Sequence, residues 1–358
     1  MQMRPLFGDE EKEAICDYME EDGFITEFKR TEIFEDMIKD YTKAKHCIVV
    51  NNGTISLTLA ALSLDLKAGD EVIVPNYTMV ATPNSVQMFG AKPVFVDVER
   101  ESLCLDIEKV KNSLTSKTKA IMLVSANGRF PNVPIQEFED LASDKGLYLI
   151  EDSAQSLGSF YPDGRHIGRS GKVGSFSFSA PKIISTGQGG ALITDDDDVA
   201  SKLRKLKDFG RSSGGNDVHD VIGYNFKFTE LQACIGIEQM KKLDVRVSRK
   251  KEIWKRYKEN LSDIEPIKLF DHDLTYTAPW FIDSIVEERE ELIYYLKDNN
   301  IGSRVMYPPL NRQKAYNVDA SCPVSDLIGE KGLWLPSSVQ ITNEQIDYIG
   351  QVIKEFYK

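Results

Sequence analysis

Along much of the chain, short apolar runs alternate with stretches whose apolar residues recur every three or four positions, which predicts strand and helix in turn. Residues 9–21 and roughly 32–41 carry helical spacing. His46-Cys47-Ile48-Val49-Val50 is the first run apolar enough for a buried strand, and Asn51-Asn52-Gly53-Thr54 turns it into a helix over 55–64. Strands follow at 71–74, 93–98, 119–124 and 147–150, with helices at 82–89, 107–114 and 135–145 between them. Repetition of this kind predicts an α/β protein built on a mostly parallel sheet with helices on both faces. Further strands at 175–178 and 191–194 and helices at 199–207 and 229–240 complete a large domain over residues 1–245. A smaller α+β domain is expected over 246–358, with a strand at 301–305, a segment at 327–335 and a final helix at 343–357 capped by Thr342.

A dinucleotide-binding sheet is the obvious rival from pattern alone. No GxGxxG follows the first strand with an acid about 20 residues on, so a nicotinamide cofactor has little support. The stretch that carries chemistry is GSFSFSAPKIISTGQGGALIT, residues 174–194, centred on Lys182. Strand patterns flank the lysine, and the glycines after it permit tight turns and close backbone approach. In such a setting a lysine is desolvated and can attack a carbonyl as the free amine; elsewhere most lysines are solvated surface charges. Upstream, the apolar run Leu147-Tyr148-Leu149-Ile150 ends in Glu151-Asp152, an acid where open α/β sheets place ligands. Asp152 as a mere cap is the alternative. Together with Lys182 it fits pyridoxal phosphate better, with an amine for the aldehyde and a carboxylate for the ring nitrogen. Gly53 and Thr54, between a strand and a helix, read either as a Thr N-cap without ligand or as an anion cradle of backbone N–H groups. Beside Lys182 and Asp152 the cradle for the phosphate is preferred.

These stretches resemble the DegT/DnrJ/EryC/StrS family of fold-type I aminotransferases acting on sugars. The match runs through NNGTISLTLAAL (51–62), GDEVIVPNYTMVATPNS (69–85), LIEDSAQSLGS (149–159), GRHIGRSGKVGSFSF (164–178), KIISTGQGGALIT (182–194), GYNFKFTELQACIGIEQMKKLD (223–244) and IGSRVMYPPL (301–310). Within the family the likeness is greatest to the perosamine-forming branch, with the viosamine-forming branch second. The resemblance implies Lys182 as the Schiff-base lysine, Asp152 as the partner of the pyridine nitrogen and Gln155 near the ring hydroxyl. It implies Ser177, Gly53 and Thr54 at the phosphate, and Asn225 reaching the phosphate of the other subunit of a homodimer. The implied reaction transfers the amino group of L-glutamate to carbon 4 of a nucleotide-linked 4-keto-6-deoxy sugar. Tyr77, Arg30, Lys227, Arg304, Tyr307 and Arg312 are the candidates for substrate contacts. A lysine at 182 separates the chain from related sugar dehydratases, which carry histidine there. Three departures stand out: Met79 where an aromatic residue commonly stacks on the cofactor, Ser125-Ala126-Asn127-Gly128 in place of His-x-Tyr-Gly, and Ala180-Pro181 before the lysine.

The remaining readings are bounded by composition. The 358 residues are 41 % hydrophobic with a net charge of −12, 56 acidic against 44 basic side chains, which argues against nucleic acid or an anionic membrane as the main partner. The five cysteines are odd in number and scattered, and no apolar run is long enough for a membrane span, so a cytoplasmic protein with reduced thiols is expected. No metal is expected. The acidic run Asp195–Asp198 reads as the N-terminal cap of a helix, and His46, His166, His219 and His272 as scattered polar residues without ligand spacing. The basic stretch 246–256 reads as a solvated outer face, not a nucleic-acid helix. Amination at carbon 3, a desulfurase or lyase on the same cofactor, and a non-catalytic nucleotide-sugar sensor are the alternatives. A desulfurase would need a thiol on a mobile loop, and Cys234 lies in a helical pattern.

Overall fold

The structure, a computed structural model, describes residues 4–213 and 216–358, so the first three residues of the expected N-terminal arm lie outside the described residues. Two helices, α1 (Asp9–Glu20) and α2 (Lys29–Thr42), lead into β1 (His46–Val50) and α3 (Gly53–Ser63). The alternation continues as β2 (Glu71–Pro75), α4 (Ala81–Gln87), β3 (Lys92–Val96), α5 (Ile107–Asn112), β4 (Thr118–Val124), α6 (Ile135–Lys145) and β5 (Tyr148–Asp152). Strands β6 (Val173–Ser177) and β7 (Gly190–Thr194) complete the large sheet, followed by α7 (Asp197–Lys207), α8 (Glu230–Lys241) and α9 (Leu243–Leu261). The C-terminal part holds β8 (Ile267–Leu269), β9 (Ile282–Val286), α10 (Arg289–Asp298), β10 (Arg304–Val305), α11 (Pro323–Lys331), β11 (Gly332–Leu335) and α12 (Asn343–Phe356).

The large sheet has the order β1-β7-β6-β5-β4-β2-β3. Only β7 runs against the rest, pairing antiparallel with β1 and β6, while β2 to β6 are parallel. The mixed, mostly parallel α/β sheet is therefore as expected. Six strand ends point the same way, and the loops after β1, β2, β4, β5 and β6 gather at one edge. Alternation along β1 explains why both faces are covered. Ile48 and Val50 enter one apolar cluster with Leu59 and Val74, and Cys47 and Val49 enter another with Phe34 and Phe178. Each such buried aliphatic side chain contributes about 1.5–3 kcal/mol relative to exposure.

Around a second sheet, of order β10-β11-β9-β8, a separate core forms from Ile253, Tyr257, Ile282, Leu333 and Ile353. Helix α9 crosses between the two parts, since Val247 packs in the large-sheet cluster and Ile253 in the other. The wall between them is aromatic: Tyr77, Trp280, Phe281 and Trp334 share one cluster.

Several local expectations need correction. Helix α3 begins at Gly53, two residues earlier than expected, because Asn52 and not Thr54 is its cap, accepting from the Ile55 N–H at 2.9 Å. The strand placed at 301–305 is only Arg304–Val305. Residues 327–335 divide into the end of α11 and β11. Strand β5 reaches Asp152 because a buried partner lies on each side of it, so both acids stand inside the sheet. The basic stretch within α9 is not uniformly solvated: Arg246 donates to the Ile183 carbonyl at 3.0 Å and to the Gln239 carboxamide, and the buried Lys250 donates to the Ser337 carbonyl. His166 and His272 are also buried, where they bond neighbouring groups. Asp196 does cap α7, accepting from Asp198 and Val199, and Thr342 caps α12.

Candidate active site

The carboxyl ends of β1, β5 and β6 place the expected site residues. Asp152 is the last residue of β5 and lies 5 % exposed. The Thr82 hydroxyl, from α4, donates to its Oδ2 at 2.7 Å, and the Ala154 N–H to its Oδ1 at 3.2 Å. Burial raises the carboxyl pKa above the ordinary range, against those donors and the nearby Lys182 ammonium. Lys182 follows β6 in the loop before β7. Burial pushes its pKa down to about 8, against the pull of Asp152. Its Nζ rests over the Trp280 ring, 4.0 Å from the centroid, and the Trp280 indole N–H donates to the Pro181 carbonyl at 2.7 Å. An amine with an accessible neutral form therefore stands within electrostatic reach of a buried carboxylate.

Beside this pair, α3 begins where β6 ends. A Cβ on Gly53 would lie 2.7 Å from that of Ser177, so glycine is required for the helix start to meet Ser177. The Asn52 cap takes the Ile55 N–H and the Asn52 carbonyl takes that of Ser56, so the N–H groups of Gly53 and Thr54 stay outside both bonds. The Ser177 hydroxyl is near that of Ser179, at 3.3 Å. Gln155 uses its amide oxygen to accept the Asn127 N–H at 2.6 Å, which leaves its NH2 as the end with donors. Pyridoxal phosphate fits this donor set: helix N–H groups and a hydroxyl for the phosphate, a partly buried amine for the aldehyde and a buried carboxylate for a protonated ring nitrogen.

The other expected residues divide into two groups. Burial raises the pKa of the Tyr307 hydroxyl, against the nearby Arg304 guanidinium and with a smaller contribution from the Asp152 charge. The Tyr307 ring lies 5.9 Å from that of Tyr77 and 4.8 Å from that of Trp334, over which Arg304 sits at 5.4 Å. Tyr77 is 4 % exposed, a wall residue more than an open contact. Met79 is exposed, with its sulfur accepting the Ala81 N–H. Arg30, Lys227 and Asn225 stand elsewhere. Arg30 pairs with Glu21 at 2.7 Å, and Lys227 with Asp208 at 2.6 Å. Asn225 is exposed on the same loop as Lys227, whose Phe226 carbonyl accepts the Asn51 N–H beside the cradle. Arg312 is paired with Asp326 on α11. The structure does not bring Arg30, Lys227 or Arg312 into contact with Lys182 or Asp152 through any of these bonds.

Sequence reasoning did not single out Thr82 or Trp280. Thr82 lies inside the 69–85 motif and was open to notice, whereas nothing local to Trp280 announces a contact with Lys182.

A model of the DegT/DnrJ/EryC1/StrS aminotransferase family matches residues 6–354. The chain belongs to that family. It is 33 % identical to a protein named GDP-perosamine synthase from Escherichia coli O157:H7, over 99 % of this chain and 97 % of that one. A GDP-perosamine synthase from Vibrio cholerae is 32 % identical, over 99 % of this chain and 98 % of its own. Among solved structures, S. venezuelae DesV in complex with ketimine intermediate superposes with a TM-score of 0.92 at 27 % identity, covering 100 % of this chain and 99 % of that one. The fold is therefore that of an aminotransferase of this family, and the chain is an enzyme. Among the described residues no helix is long and apolar enough to cross a membrane, and no group of three or more His, Cys, Asp and Glu is placed to hold a metal ion.

Proposed function

We propose that this aminotransferase moves an amino group from L-glutamate to carbon 4 of a nucleotide-linked 4-keto-6-deoxy sugar, giving a product of perosamine type. The observation that carries the reading is the partly buried Lys182 amine beside the buried Asp152 carboxylate, next to the open start of α3. The names of the two curated relatives support GDP as the nucleotide and a sugar as the acceptor.

Pyridoxal phosphate, when bound, supplies an aldehyde for amine exchange and a ring that withdraws electrons while its nitrogen is protonated. Asp152, fixed by Thr82, would hold the proton on that nitrogen. Gly53, Thr54 and Ser177 would hold the phosphate, the Gln155 NH2 would face the ring hydroxyl, and Met79 would offer its polarizable sulfur to the ring. The Lys182 amine takes a proton from the glutamate α-carbon and later delivers one to the sugar carbon from a single face. Tyr77, Tyr307 and Arg304 line the substrate side. Arg30, Lys227 and Arg312 are paired with Glu21, Asp208 and Asp326 and would have to exchange those partners to meet the diphosphate.

We further propose a homodimer in which Asn225 of each subunit meets the partner's cofactor phosphate, a large domain over 1–245 with a small one over 246–358, and a cytoplasmic setting, which the five free cysteines support. A desulfurase reading is disfavoured by Cys234, which is buried in α8 with its thiol pKa pushed up to about 11 by burial.

The test is spectroscopic. Protein loaded with pyridoxal phosphate loses its visible absorbance on adding L-glutamate, releases one 2-oxoglutarate per site, and regains the absorbance with the keto sugar. Absorbance indifferent to glutamate contradicts the proposal.

A further inference from the structure

Trp280 makes two contacts with the Pro181-Lys182 segment. Its indole N–H donates to the carbonyl of Pro181, the residue just before the lysine, at 2.7 Å. Its ring face lies under the lysine Nζ at 4.0 Å from the centroid. The first contact fixes the ring relative to the lysine backbone, and the second receives the end of the lysine side chain. The indole cannot easily turn away: it is 4 % exposed, with Phe281 4.0 Å and Trp334 6.3 Å away between ring centroids.

Resting on the functional reading above, we infer that Trp280 is the dock of the Lys182 amine, a positioning residue that holds the ammonium by its ring face while the amine is not bonded to the cofactor. A reaction in two halves needs such a place. Once glutamate has taken the aldehyde, the freed amine has to stay close, alternate between NH3+ and NH2, and approach the reacting carbon from one side. A ring face attracts NH3+ but forms no strong bond with either state, so it holds the ammonium without trapping it. Burial and the ring act in opposite directions. Exclusion of water favours the neutral amine, which agrees with a pKa of about 8, whereas the ring quadrupole favours the cation.

That opposition supplies a test on the cofactor-free chain. Competitive labelling with acetic anhydride, read at the Lys182 peptide by mass spectrometry across pH, reports the amine's titration midpoint. Trp280→Phe keeps a ring and Trp280→Leu keeps only bulk. The dock predicts that the Leu variant titrates about one pH unit below the Phe variant, since the cation loses its ring face. A Leu midpoint equal to or above the Phe midpoint overturns it. Fluorotryptophan at all three tryptophans repeats the measurement without changing the packing, and there the midpoint falls relative to the unsubstituted protein; an unchanged midpoint again overturns the dock. Because the labelling needs neither glutamate nor sugar, its failure is separate from failure of the glutamate test above.

Discussion

Lys182 and Asp152 are two groups that burial drives toward neutrality; their mutual attraction opposes this in both, and in Asp152 the Thr82 and Ala154 donors oppose it more strongly. With its folded pKa lowered to about 8, Lys182 is mostly ammonium at pH 7 and mostly free amine above pH 8. The rate at which cofactor-free protein captures pyridoxal phosphate is therefore expected to rise about tenfold per pH unit below 8 and to level off above it, as followed by absorbance. Lys182→Ala is expected to lower turnover by several orders of magnitude, because one side chain serves as both amine and proton carrier. Retained glutamate-dependent turnover contradicts that role. Thr82→Val removes one of the two short donors to Asp152, so the buried carboxyl binds its proton more firmly and the glutamate half-reaction slows; an unchanged rate assigns Thr82 to packing alone. At this scale the sequence was informative where the chemistry is local. Lys182 lies between strand patterns and Asp152 closes an apolar run, whereas the Trp280 contact joins residues distant in the chain and leaves no periodic trace.

Among the elements, the end of β4 is where the two sheets are joined. Asn127, at φ 56°, donates through Nδ2 to the Phe281 carbonyl at 2.9 Å and accepts the Phe281 N–H at 2.5 Å. Two residues on, Arg129 forms a buried ion pair with Asp283 of β9 at 2.6 Å. The departure from His-x-Tyr-Gly thus places at position 127 an amide that matches a backbone donor and acceptor at the start of β9. Asp283→Asn leaves a buried guanidinium without its carboxylate and is expected to lower the unfolding free energy by about 3–5 kcal/mol, read from urea denaturation. A loss under about 1 kcal/mol contradicts the pair's place in the joint. The large sheet was legible because β2, β4 and β5 carry uninterrupted apolar runs set between helical patterns. The small sheet was not, since β8 has three residues and β10 has two, too short for any period to show.

At the scale of the whole molecule, exposed apolar side chains concentrate on the segment before α2 and on the loop around Asn225. Phe24 is 66 % and Ile222 84 % exposed, and Ile25, Phe28, Val218 and Tyr224 join them. Such a surface supports burial against a second copy. Asn225→Ala is then expected to weaken cofactor affinity by about tenfold to a hundredfold through loss of a hydrogen bond to a charged group. At a cofactor concentration that leaves this variant empty, mixing it with Lys182→Ala and allowing subunits to exchange restores activity at one site per heterodimer. Confirmed exchange without recovery contradicts the shared site.

Product analysis tests sugar amination most directly. Protein charged with L-glutamate is offered GDP-, dTDP- and UDP-linked 4-keto-6-deoxy sugars, and the products are identified by mass and NMR. The account predicts a new amine at carbon 4, with the GDP-linked sugar turned over fastest. An amine at carbon 3, or no amino sugar from any of the three while glutamate is still converted to 2-oxoglutarate, would contradict it.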